Sequence, residues 1–166
     1  MGVLLDAFIG VLENEIDLYQ SLLLILQQEK EAVVFSKLRE LNESSKEKEN
    51  HVLKIRILEE QRIKFLEKIA ESLEYPSSQL TLSNLIQIID EPYATRLRNI
   101  HNVTAALLQA IQEVNNSNKA LVLHSLDLVR GSLALFNNLI CPTAVYFRSG
   151  KVVPNAHRGV VISGKT

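Results

Sequence analysis

Fourteen positions between Tyr93 and Leu139 follow one another in alternating steps of four and three: Tyr93, Leu97, Ile100, Thr104, Leu107, Ile111, Val114, Asn118, Leu121, Ser125, Leu128, Ser132, Leu135 and Leu139. Most are apolar. The steps average 3.5 residues, the repeat of a helix packed lengthwise against other helices. At about 1.5 Å per residue such a helix is roughly 70 Å long, which predicts a rod with a lengthwise surface rather than the core of a globule. Near the N-terminus, Leu5, Phe8, Leu12, Glu15, Tyr19, Leu22, Leu26, Glu29 and Val33 form a second seam of the same kind. Leu4, Val11, Leu18, Ile25 and Ala32 form a further stripe beside it. Two stripes on one helix imply two neighbours, hence a bundle. A third seam reads Leu38, Leu41, Ser45, Lys48, Val52, Ile55, Glu59, Arg62, Leu66, Ile69 and Leu73.

Local signals divide these seams into helices at about 3–34, 36–74, 82–89 and 92–141. Ser36 is placed to cap the second helix, because a serine hydroxyl can take one of the free N–H groups of a first turn; with no Gly or Pro at the bend near Phe35, one continuous helix through this point is the alternative. Pro76 ends that helix, since proline lacks the N–H and forces its predecessor out of helical geometry. Leu82, Leu85, Ile86 and Ile89 share one face of a short third helix. Pro92 suits the first position of the fourth, and Pro142 stops it after Cys141. The expected fold is all-α: an elongated antiparallel helical bundle, coiled-coil-like, with a long N-terminal hairpin, one short helix and one long C-terminal helix. A helical domain of residues 1–141 is followed by an irregular basic tail, 142–166, expected to be mobile.

Charges break the seams at Glu15 and Glu29 in the first helix and at Lys48 and Arg62 in the second. In an antiparallel pair, facing positions share a constant index sum. Glu15 with Arg62 and Glu29 with Lys48 both sum to 77, so two cross-helix ion pairs are expected to set the register. Such pairs contribute specificity more than stability, because desolvation offsets much of their attraction. On the long seam Asn118 interrupts the apolar series, and a buried Asn in such a seam specifies register or partner. Beyond it, Ser125 and Ser132 make the seam thinner, as in a groove left open for another helix.

Composition agrees with a helical protein of one domain. Apolar residues make up 46% and aromatics 5%, with no Trp, so Leu, Ile and Val do the packing. The single cysteine, Cys141, leaves no intrachain disulfide and fits a reducing cytosol. No apolar run approaches the roughly 20 residues a bilayer requires, and Asp6, Glu13 and Glu15 stand where a signal peptide would be basic and then apolar. A cytoplasmic protein with no membrane partner is expected. Net charge is −1, with 15 acidic and 10 basic residues in 1–75 and four basic residues and no acid in 142–166. Arg148, Lys151, Arg158 and Lys165 are too sparse to predict nucleic-acid binding.

The segment Gly159-Val160-Val161-Ile162-Ser163-Gly164-Lys165-Thr166 satisfies the phosphate-loop pattern G-x-x-x-x-G-K-T. That loop works between a strand and a helix, with N–H groups aimed at phosphate. No strand is predicted before it and no helix follows, so nucleotide binding is not expected. His51, His101, His124 and His157 are scattered without ligand spacing, and no Glu-x-x-His pair is present. No metal, cofactor or catalytic residue is expected, and the protein is read as no enzyme.

Several pieces recur in a recognisable order. They are Leu12, Glu15, Tyr19 and Leu22-Leu23; Glu29-Lys30 with Ala32-Val33; Leu41 and Glu47-Lys48-Glu49; Leu58-Glu59 with Arg62; Glu113, Asn115 and Asn118; and Tyr146 with Gly150. In this order residues 1–150 resemble the FlgN family, cytoplasmic export chaperones of the bacterial flagellum. The resemblance implies binding of hook-associated proteins 1 and 3, protection from premature assembly, and delivery to the flagellar type III export machinery. It also implies clients whose terminal amphipathic helices are disordered before assembly, which suits helix-in-groove capture. On this reading Asn118, Leu121, Leu128, Leu135 and Leu139 form the client surface and Tyr146 is a docking residue for the export machinery. A monomer or weak homodimer is expected. The rival readings are a self-assembling coiled-coil rod and a helical adaptor of another secretion system.

Overall fold

The computed structural model describes residues 1–140, which are all-α. Four helices are present among them: α1 (Gly2–Val34), α2 (Leu38–Ser72), α3 (Leu82–Ile88) and α4 (Tyr93–Ile140), with a single 3-10 turn, Ser77–Gln79, before α3. Apart from the end of α4, where the described residues stop, these bounds differ by at most two residues from those read from the chain. Cys141, Tyr146, the basic tail and the phosphate-loop pattern lie outside the described residues. Met1–Leu121 form one compact unit, and a second begins at Val122.

The α1–α2 turn differs from expectation. Ser36 does not cap α2; it closes α1, in the left-handed region at φ 55°. Its N–H donates to Val33 O at 3.2 Å and that of Lys37 to Ala32 O at 2.8 Å. These are the paired bonds of a Schellman motif, which satisfies the last carbonyls of a helix while reversing the chain. Lys37 is the N-cap of α2, with no side-chain cap bond. The end of α2 repeats the device. Glu74 sits at φ 51°, with Glu74 N bonded to Glu71 O at 3.2 Å and Tyr75 N to Ala70 O at 2.9 Å. A helix so closed needs no glycine, but each non-glycine residue there carries the strain of a left-handed backbone.

Thr81 caps α3, its Oγ1 accepting from Asn84 N at 3.2 Å. At the start of α4 the Glu91 carboxylate takes the Thr95 N–H at 3.2 Å and the Thr95 hydroxyl at 2.9 Å. A negative charge there also suits the helix dipole.

The first unit is built in layers. Leu5, Phe8, Ile9 and Leu12 of α1 meet Ile69 and Ala70 of α2, Leu80, Leu85 of α3, and Leu97 and Ile100 of α4. The short α3 thus closes the open end of the hairpin. A second core joins Tyr19, Leu22 and Leu26 of α1 to Ile55 of α2, with Leu107, Ile111 and Val114 of α4 packed against it. Seam positions of α4 are buried or half-buried from Tyr93 through Leu121. In the first half of α2 the expected Leu41, Ser45 and Lys48 are half-buried and Ile55 is buried, with Ser44 buried and His51 half-buried beside them. Val52 and Leu38 are exposed.

Candidate functional site

Polar layers separate the apolar ones. Arg62 Nε lies 3.1 Å from Glu15 Oε1, and the Lys48 ammonium pairs with Glu29 Oε1. Both contacts run between α1 and α2 and hold the hairpin antiparallel at one register. Glu15 is only 3% exposed. Burial raises its carboxyl above the ordinary value of 4.5, and the nearby Glu59 adds to this, while the Arg62 guanidinium pulls it back down. Desolvation is the largest of these effects, so the pair fixes geometry without repaying in full the dehydration of its anion. Tyr19, beside the same layer, is raised by burial and then by the charge of Glu15.

Glu29 also binds α4. Asn118 Nδ2 donates to Glu29 Oε2 at 2.9 Å and to the carbonyl of Leu26 at 2.7 Å. One polar junction therefore ties Lys48 of α2, Glu29 of α1 and Asn118 of α4. At the other end of α1, Tyr93 Oη donates to Asp6 Oδ2 at 3.2 Å, and Arg96 Nη2 lies 3.1 Å from Glu13 Oε1. Residue numbers rise together across these contacts, so α4 runs parallel to α1. Asn118 is 2% exposed, and both its amide hydrogens are used internally. It is thus corrected from a partner-facing residue to an internal one; a side chain so covered offers nothing to a partner.

Leu121 is half-buried. From Val122 onward α4 has a different character. Leu128, Leu135 and Leu139 are 60%, 66% and 78% exposed, and the apolar stripe one residue further on is exposed as well: Leu126, Val129, Leu133 and Phe136. Sequence reading by a single seam missed these last four. The signal was present, because Val122, Leu126, Val129, Leu133 and Phe136 keep the four-three spacing without a polar interruption. At about 100° per residue the two stripes cover roughly half of the helix circumference. Asp127 and Arg130 fall on the other half and pair with each other at 3.6 Å. The Ser132 hydroxyl is turned back onto Leu128 O at 2.9 Å, so it leaves no free donor on the apolar side. Chemically this stretch has one capacity, to bury a broad uncharged helix face against something else.

Among the described residues no group of His, Cys, Asp or Glu side chains is placed to hold a metal ion, and no helix is long and apolar enough to cross a membrane. No curated protein and no solved structure gives a match. Among protein families, residues 1–154 match FlgN, described as FlgN protein. Members of that family are flagellar export chaperones rather than enzymes. A match over so much of the chain, on four helices whose last one bares an uncharged apolar face, makes this protein a member of the FlgN family.

Proposed function

We propose that this chain is a cytoplasmic type III export chaperone for the flagellar hook-associated proteins 1 and 3, holding their terminal amphipathic helices on the apolar face of α4 beyond Leu121. The observation that carries the reading is the exposure of Leu128, Leu135 and Leu139 on a helix whose earlier seam is covered. Contiguous exposed apolar surface marks an interaction site, and a helix laid along such a stripe is a recurrent mode of peptide capture. Holding the client there blocks premature assembly. Delivery to the export machinery then falls to a separate element, for which Tyr146 is the candidate residue.

Leu128→Asp and Leu135→Asp test the reading. Neither side chain is part of either core, so circular dichroism should be unchanged. Pull-down of purified hook-associated protein 1 or 3 should fall at least tenfold, since burying one unpaired carboxylate in an apolar interface is worth more than about 1.4 kcal/mol. Full binding by both folded variants refutes the groove.

A further inference from the structure

Within the first unit the cover over α4 is uneven. Ala94, Leu97 and Ile100 are buried, and so is Asn118. Between Ile100 and Asn118 no residue of α4 is buried, and the seam positions Thr104, Leu107, Ile111 and Val114 are only half-covered. Polar ties follow the same division. Tyr93 and Arg96 bond Asp6 and Glu13 at one end, and Asn118 bonds Leu26 O and Glu29 Oε2 at the other. Among the described residues no hydrogen bond or ion pair joins α4 to another helix between those ends.

The two ends are not equally firm. Leu97 and Ile100 are set in the first core, with Leu80 and Leu85 packed in the same cluster. The other end is a single side chain. Its amide nitrogen donates to Leu26 and Glu29, but Oδ1 is buried and accepts from no group. A desolvated acceptor without a donor works against the closed arrangement, and it regains a hydrogen bond from water when Asn118 swings out. The receiving side belongs to the hairpin. Glu29 is held by Lys48, and Glu15 by Arg62, both within α1 and α2. Lifting α4 therefore breaks neither of the pairs that set the hairpin register.

From this we infer that the Thr104–Leu121 part of α4 is a strap that lifts off the hairpin as one unit, with Asn118 as its latch and the first core as its fixed end. Thin apolar cover is what lets a segment open without global unfolding. Lifting uncovers the sides of Tyr19, Leu22 and Leu26 against which Leu107, Ile111 and Val114 pack. Asn118 thereby gates an apolar surface that the closed form hides. All of these residues precede Val122, so the inference does not depend on the proposed client surface.

Amide hydrogen exchange on the full-length protein, resolved by residue with NMR, tests the strap. A lifted stretch without tertiary cover is marginal as a helix, so its amides exchange in the open form. The expected result is one common protection for Leu107, Ile111 and Val114, about tenfold or more below that of Phe8, Leu12 and Ile69 in the first core. Asn118→Ala should speed the strap amides by about tenfold again and leave the first core nearly unchanged. Ile111→Ala thins the cover, spares the latch and gives the same comparison in a milder variant. Equal protection in strap and first core overturns the inference, because the chain then opens only as a whole. Protection that falls steadily from Leu107 to Leu121 overturns it too, since that is fraying of a helix rather than the lift of one unit. So does either variant whose strap amides are unchanged, or whose strap and core amides quicken alike.

Discussion

Replacing Arg62 with methionine isolates the energetics of the Glu15–Arg62 layer. Arg62→Met keeps most of the side-chain volume and removes the charge that faces Glu15 Oε1 at 3.1 Å. The carboxylate, 3% exposed, is then buried without a counter-charge. Its penalty has a ceiling, because the group escapes by binding a proton. Relative to an unfolded carboxyl at 4.5, protonation at pH 7 costs about 1.36 kcal/mol for each of 2.5 units, roughly 3.4 kcal/mol in all. The carboxyl already sits above 4.5 in the wild type, so the mutant effect is smaller than that ceiling, about 2–3 kcal/mol.

The sign of the pH dependence follows from the same group. A carboxyl raised on folding binds protons more tightly folded than unfolded, so its penalty is present at neutral pH and is relieved as pH falls through the raised value. At about pH 5.5 the ceiling is only about 1.4 kcal/mol. Urea unfolding followed by circular dichroism should therefore show the cost of Arg62→Met shrinking to about 1 kcal/mol or less at the lower pH. In a Glu15→Gln background the same replacement should cost little at either pH. A cost that stays constant from pH 7 to 5.5, or that survives unchanged beside Glu15→Gln, refutes the buried-anion account and assigns the effect to packing.

Two other substitutions follow from the geometry. Ser36→Gly relieves a left-handed residue at φ 55° and should stabilise the chain by about 0.5–1 kcal/mol, read as a higher unfolding midpoint; Ser36→Val should do the opposite. Asn118→Asp sets a second carboxylate against Glu29 Oε2, now 2.9 Å from the amide, and should cost more than about 2 kcal/mol at neutral pH with partial recovery in acid. An acid-insensitive loss would mean that the missing amide donor, rather than charge repulsion, is the cause.

The hairpin was the most legible part of the molecule. A charge on an apolar seam is an exception that periodicity makes visible, and so Glu15, Glu29, Lys48 and Arg62 stood out by position alone. Helix bounds were legible at the prolines, at Pro76 after α2 and at Pro92 just before α4. They were less so at Ser36, because a serine can cap the following helix or close the preceding one, and only the direction of the chain reversal decides between them. Early α2 was legible at Leu41, Ser45, Lys48 and Ile55, which are covered, and not at Leu38 and Val52, which are apolar and yet exposed.

By itself the sequence determined that the chain is helical, where its seams run and which residues interrupt them, because backbone geometry turns spacing into faces. Tertiary structure alone decided which of those faces are covered. Asn118 and Leu128 belong to one unbroken seam, yet the first is 2% exposed and bonded to Leu26 and Glu29, and the second is 60% exposed. Periodicity records that a helix has an apolar side and carries no information on whether a neighbour is present to bury it.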